Sequence, residues 1–188
     1  MASTIEGEGV ETELFWIGKD AIKGCEACFK CSEIEENRCV FDNGAVNEFI
    51  KKAKTADGFV FATPVYFSAP NGALVSFLDR VFFAGGSVFK GKPGALITVA
   101  RRAGTVCAYD VLSKYLPING MPIAGSMYWP ITFGQWAGDV LKDAEGMQTV
   151  TMHGRNLVWL MKCIKEGEKN GINAPELNEE KQRTCFIR

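Results

Sequence analysis

The sequence predicts a doubly wound α/β domain, a parallel sheet sandwiched between helices in three α/β/α layers. Three observations carry that expectation. Two short unbroken apolar runs, residues 59–62 and 95–100, are too short for helices and read as strands buried on both faces. Each run leads through a loop into apolar residues at helical spacing. The resulting alternation of strand and helix implies right-handed crossovers and parallel strands.

Taken in order, residues 1–9 read as the tail of a helix and a turn. Residues 12–17 read as a strand carrying Leu14, Phe15, Trp16 and Ile17, and no Gly/Ser-rich phosphate loop precedes it. A loop over residues 24–44 follows, then a helix with Val46, Phe49, Ile50 and Ala53 on one face and Asp42 or Asn43 as its N-cap. The strand at 59–62 opens into a loop stiffened by Pro64 and Pro70. The next helix places Leu74, Phe77, Leu78 and Val81 on one face, with Pro70 suited to its first turn. After a turn at 90–94 come the strand at 95–100, a loop at 101–105 and a helix over roughly 105–116. Residues 121–126 read as a last strand, interrupted by Pro122 and Gly125. The aromatic segment 127–139 has no regular pattern and reads as a lid or a subunit contact. A long helix over 142–166 aligns Met147, Val150, Gly154, Leu157, Val158, Met161 and Ile164.

Composition narrows the function. The 188 residues, 47% of them hydrophobic, suffice for a sizeable core and one domain over residues 1–170, with a polar tail at 171–188. Basic and acidic residues nearly cancel at 21 and 22 without a Lys/Arg-rich run, which argues against a nucleic-acid partner. No apolar stretch approaches the length of a membrane span, so no membrane is expected. The acidic start lacks the apolar core of a secretory signal. Seven cysteines in such a chain point to a reducing cytoplasm, and to metal or redox work over disulfides.

Ligands of open parallel sheets sit at the carboxyl ends of the strands. The first such loop, Thr63, Pro64, Val65, Tyr66, Phe67 and Ser68, offers fixed amides and an aromatic wall suited to a flat heteroaromatic ligand. It reads equally well as an ordinary crossover whose aromatic fills the core. Arg101, Arg102, Ala103 and Gly104 form a second loop at a strand's carboxyl end. Cys25, Cys28, Cys31 and Cys39 are spaced so that they can converge on one iron–sulfur cluster. Zinc and reduced packing thiols are the alternatives, although two separated C-x2-C knuckles, the usual zinc pattern, do not occur. Glu33, Glu35 and Glu36 read as a solvated face. Cys107 and Cys163 fall in helices and are expected in the core, and Cys185 in the tail. His153, the single histidine, reads as structural, and no base–nucleophile spacing surrounds it. No GxGxxG or Walker sequence occurs. No catalytic side chain is assigned, and a cofactor is expected to carry the chemistry.

Cys25-x2-Cys28-x2-Cys31-x7-Cys39, Thr63-Pro-Val-Tyr-Phe67, Phe77-Leu-Asp-Arg80 and Phe89-Lys-Gly-Lys92 together resemble the iron–sulfur flavoprotein branch of the NADPH-dependent FMN reductase family. Gly125-Ser-Met-Tyr-Trp129, Gly154-Arg155-Asn156 and Trp159-Leu-Met-Lys162 extend the resemblance to about residue 170. It implies a flavodoxin-like fold holding FMN, with residues 63–67 against the isoalloxazine ring and 101–104 as a second ring-contacting loop. It implies a [4Fe–4S] cluster on the four cysteines, NAD(P)H or a ferredoxin-like protein as donor, and a homodimer or homotetramer. Segment 127–139 is the candidate for reaching a neighbouring subunit. The family's first strand and its phosphate-gripping loop have no counterpart here. A start at an internal methionine is the favoured explanation, ahead of a fragment or a variant that repairs the sheet otherwise. The function expected is an FMN-dependent oxidoreductase. A flavodoxin-like electron carrier and a zinc-binding or cofactor-free α/β module are the alternatives.

Overall fold

A computed structural model gives the structure, which describes residues 1–42 and 44–176 and, beyond them, residues 180, 182, 184 and 186. Its centre is a pair of parallel strands, β1 (Phe59–Tyr66) and β3 (Gly94–Ala100), in register from Phe59 opposite Gly94 to Pro64 opposite Val99. A short antiparallel strand, β2 (Ala69–Pro70), folds back on β1. Strand β4 (Ile131–Phe133) adds parallel to β3, so the order is β2-β1-β3-β4.

Helices cover the sheet from both sides. On one side lie α2 (Ala45–Ala53), α3 (Gly72–Gly85), α4 (Thr105–Ser113) and α5 (Tyr115–Ile118). Their apolar faces meet Phe59, Phe61 and Leu96 in one core, with Val46, Ile50, Phe77, Leu78, Val81, Phe89, Leu112 and Leu116 buried. Aromatic rings tie this core together: Phe59 and Phe89 lie 4.8 Å apart, Phe82 and Phe89 4.9 Å, and Phe49 and Phe77 5.3 Å. Each such pair contributes about 0.5–1.5 kcal/mol beyond its burial. On the other side, α1 (Ala2–Gly7) and α6 (Ala144–Lys169) pack Ile5, Leu157 and Val158 against Ala95 and Ala124.

His153 of α6 locks this second layer to the sheet. It is fully buried; its Nε2 accepts the Leu96 amide at 3.1 Å, and its Nδ1 lies 3.0 Å from the Gly125 carbonyl. Those contacts require the neutral tautomer with its proton on Nδ1, and burial pushes the imidazole pKa down. The reading of His153 as structural agrees with this geometry.

Several expectations need correction. Residues 12–17 form no strand; Phe15 instead packs on Phe49 at 5.1 Å, and Glu13 pairs with Lys52 at 2.8 Å. Among the described residues, nothing pairs with the edge of β1 opposite β3 along 59–64, segment 12–17 included. Nor is β1 buried on both faces: Phe59, Phe61 and Thr63 are buried, whereas Val60, Ala62 and Pro64 are exposed. Among the described residues, segment 121–126 contributes one bridge, Ile123 to Gly94: Pro122 has no amide to extend it upstream, and the Leu96 amide that would continue it downstream goes to His153. The strand lies instead inside 127–139, as β4.

The helix expected to reach residue 116 breaks after Ser113, where Pro117 removes the i→i−4 donor. Gly44, not Asp42, precedes α2; Asp42 accepts from Asn47 Nδ2 at 2.9 Å, and Asn43 lies outside the described residues. Pro70 belongs to β2, and Asn71 caps α3 by accepting the Ala73 amide at 2.8 Å. Cys107 and Cys163 are exposed, their helices burying Ala108 and Leu112, and Leu157 and Val158, instead. Cys185 falls outside the described residues. The 18 residues Gly72–Phe89 do have the length and composition of a span, with mean hydropathy 1.3, yet their apolar face is the wall of the main core.

Candidate functional site

Two regions gather the sequence-predicted site residues: the carboxyl end of the sheet and the cysteine cavity beside α3. At the sheet end, β1 runs into a two-residue hairpin. Val65 pairs with Pro70 and Tyr66 with Ala69, leaving Phe67 and Ser68 at the tip. Both tip residues have positive φ, 51° and 59°, the backbone of a type I′ turn normally given to Asn and Gly. A bulky aromatic held there is a strained choice of the kind that clusters at ligand sites. The Phe67 side chain is fully exposed and Tyr66 is more than half exposed, so neither fills the core. Buried Thr63 steadies the hairpin: its hydroxyl donates to the Pro64 carbonyl and accepts the Asn71 amide, both at 2.9 Å.

The second loop leaves the neighbouring strand β3 and touches the first. Gly104 has φ +85°, and a Cβ there would lie 2.7 Å from Ser68 Cα. Only glycine allows that approach. Thr98, wholly buried, donates its hydroxyl to the Thr105 carbonyl at 3.1 Å and closes the loop behind the ledge. Arg101, Arg102 and Ala103 are exposed along its rim, where the two guanidinium groups can meet an anion. A third loop joins the same end, where the Gly134 amide donates to the Ala100 carbonyl at 3.0 Å and Trp136 is exposed. The ledge therefore combines exposed aromatics, a glycine pressed against backbone and two guanidinium groups. It fits a flat aromatic ligand bearing a phosphate.

The four cysteines ring a second place. Cys25, Cys28, Cys31 and Cys39 line one cavity, together with Phe29, Phe83 and Arg80. Ala27 and Phe29 take positive φ, 51° and 58°, so the chain curls between the cysteines. The Ala27 amide donates to Cys25 Sγ at 3.5 Å. Phe29 and Phe83 close one wall edge to face at 5.5 Å. Burial pushes the Cys31 thiol pKa up, and the neighbouring Cys39, Cys25 and Cys28 act in the same direction. Among the described residues, no three Cys, His, Asp or Glu side chains are close enough to hold a single metal ion. A wider ring of four soft sulfur donors around a cavity fits a cluster.

Sequence reasoning missed Arg80, although one signal was legible. It is a lone charge on the apolar stripe of α3, and its side chain is only 2% exposed. Its Nε and Nη2 lie 3.4 and 3.5 Å from Cys39 Sγ, and Nη2 donates to the Phe41 carbonyl at 2.6 Å.

A model of the NADPH-dependent FMN reductase family matches residues 1–136. An iron–sulfur flavoprotein of Methanocaldococcus jannaschii is 28% identical over 173 residues, 87% of this chain and 88% of the relative. One from Archaeoglobus fulgidus is 30% identical over 159 residues, covering 78% of this chain and 79% of the relative. Among solved structures, RosB with bound 8-demethyl-8-formylriboflavin-5′-phosphate superposes with TM-score 0.62 at 15% identity, over 100% of this chain and 84% of that one. A flavodoxin-like, WrbA-like protein from Agrobacterium tumefaciens gives 0.51 at 16% identity, over 69% and 78%. Both likenesses show the fold: α/β and flavodoxin-like.

Proposed function

Since the chain belongs to the NADPH-dependent FMN reductase family, a family of flavoprotein oxidoreductases, we propose that it passes electrons from a reduced donor through FMN to an acceptor. The donor is NAD(P)H or a ferredoxin-like protein, and Cys25, Cys28, Cys31 and Cys39 hold a [4Fe–4S] cluster. FMN, when bound, supplies hydride acceptance and single-electron release, and a cluster supplies one-electron storage. The observation that carries this reading is that the four thiols ring one cavity on the helix that starts at the flavin ledge.

The chain's own residues have distinct tasks. Thr63 and Asn71 fix the hairpin, so Tyr66 and Phe67 present an aromatic face without reorganising on binding. Gly104 lets the second loop close against Ser68. Arg101 and Arg102 place positive charge where the phosphate of a flavin or nicotinamide would arrive. The protein is proposed to work in the cytoplasm as a homodimer or homotetramer, with exposed Tyr128, Trp129 and Trp136 in the contact.

The test is turnover. Full-length protein supplemented with FMN is mixed with NADPH, NADH or a reduced ferredoxin under anaerobic conditions, and donor oxidation with an artificial acceptor is followed. Oxidation of at least one donor, lost when FMN is stripped, supports the oxidoreductase. Retained flavin that exchanges electrons with protein donors but never oxidises a nicotinamide leaves the carrier reading, which the openness of the ledge favours. No flavin bound at all overturns both.

A further inference from the structure

We infer that Arg80 is the positioning residue of the cysteine site: its guanidinium holds the Cys39 ligand and raises the reduction potential of the cluster seated there. The inference rests on the cluster reading above. Cys39 is the one buried cysteine of the four, separated from the Cys25–Cys31 run by seven residues, and so the ligand with most need of an anchor. Arg80 supplies that anchor with two N–H groups toward Sγ, at 3.4 and 3.5 Å, while the Phe41 carbonyl fixes the same guanidinium at 2.6 Å. The Phe41 ring lies 5.9 Å from the guanidinium carbon and adds a cation–π contact.

A cluster ligated by four thiolates carries net negative charge, and the Arg80 guanidinium, directed at Cys39 Sγ, would attract it. Hydrogen bonds to sulfur and net charge both set cluster potentials. Adding one electron makes the cluster more negative, so a fixed cation at Cys39 favours the reduced form. The electron comes from the reduced flavin or the external donor, and Arg80 itself is neither oxidised nor reduced. Geometry links the two places: Arg80 lies eight residues beyond Gly72, about 12 Å along the helix from the flavin ledge.

The test uses the full chain, reconstituted anaerobically with ferrous iron and sulfide, as wild type, Arg80→Lys and Arg80→Met. Methionine keeps an unbranched, though shorter, side chain and removes the charge and the N–H donors. Circular dichroism and FMN binding verify the fold; iron and sulfide are counted, and the cluster's midpoint potential is read by redox titration. In Arg80→Met, one-electron reduction is expected to become about tenfold less favourable, a fall of about 59 mV, with Arg80→Lys in between. Loss of iron in Arg80→Met restored in Arg80→Lys also supports the inference. An unchanged potential at full iron content in Arg80→Met overturns it, as does loss of iron in both folded variants, which would reduce Arg80 to a prop. Wild-type protein that binds flavin but no iron and sulfide refutes the cluster reading itself, before any substitution is compared.

Discussion

Gly104→Ala tests whether the two loops of the ledge are one unit. Two costs add at this position. Alanine at φ +85° sits in the left-handed region, which disfavours L-residues by roughly 1–2 kcal/mol. Its Cβ would also lie 2.7 Å from Ser68 Cα and 3.0 Å from Ser68 Cβ, and ordinary contact begins at 3.4 Å. The backbone of Ser68 must yield, yet Ser68 is already held at positive φ in a two-residue hairpin paired to β1. The backbone strain alone should lower the melting temperature by roughly 2–8 °C for a chain of this size. Displacing the hairpin misplaces the aromatic face, and a loss of about 1.4 kcal/mol there weakens FMN binding about tenfold. Melting is followed by differential scanning fluorimetry of the apoprotein, and binding by quenching of flavin fluorescence. Gly104→Asn separates the two costs, because asparagine accepts the left-handed backbone but still carries a Cβ. It should recover much of the stability and little of the affinity. Wild-type affinity in Gly104→Ala would refute the coupling of the loops.

Other expectations follow from single contacts. His153 is neutral in the fold, its pKa held below the usual 6.5 by burial, so the unfolded chain binds the extra proton. Its contribution is therefore complete above about pH 6.5 and is lost as pH falls below that value toward the lowered folded pKa. Melting midpoints measured from about pH 7.5 down to about pH 5 should fall, and the slope should flatten in His153→Gln. Asn71→Ala removes the side-chain cap of α3 and should cost about 1 kcal/mol in urea unfolding. Phe89→Ala empties the centre of the aromatic core, where Phe89 is wholly buried against Phe59 and Phe82, and should cost about 3–5 kcal/mol in the same assay.

The parts of the fold legible in the sequence are those where local pattern and tertiary packing agree. Residues 95–100 read as a strand because β3 has a partner on each edge and helices over both faces. Residues 12–17 carry a strand's composition, but a strand exists only with a partner, and partners are not written locally. β4 escaped notice for the opposite reason: three residues between Pro130 and Gly134 are too few to show a period, and pairing with β3 makes them a strand. The position of Gly104 after a strand is legible in the sequence, whereas its close approach to Ser68 comes only from the fold. The cysteine spacing lets the four residues meet at one place, as they do around the cavity, and is silent about Arg80, 41 residues away along the chain.

The central claim is that FMN and an iron–sulfur cluster share this chain. An anaerobic ultraviolet–visible spectrum of the purified protein, with iron and acid-labile sulfide assayed on the same sample, tests it most directly. The account predicts flavin bands over a broad sulfur-to-iron absorbance, with iron and sulfide in equal amounts. Flavin bands with neither iron nor sulfide would contradict the assignment of Cys25, Cys28, Cys31 and Cys39, and a colourless protein would contradict the flavin site as well.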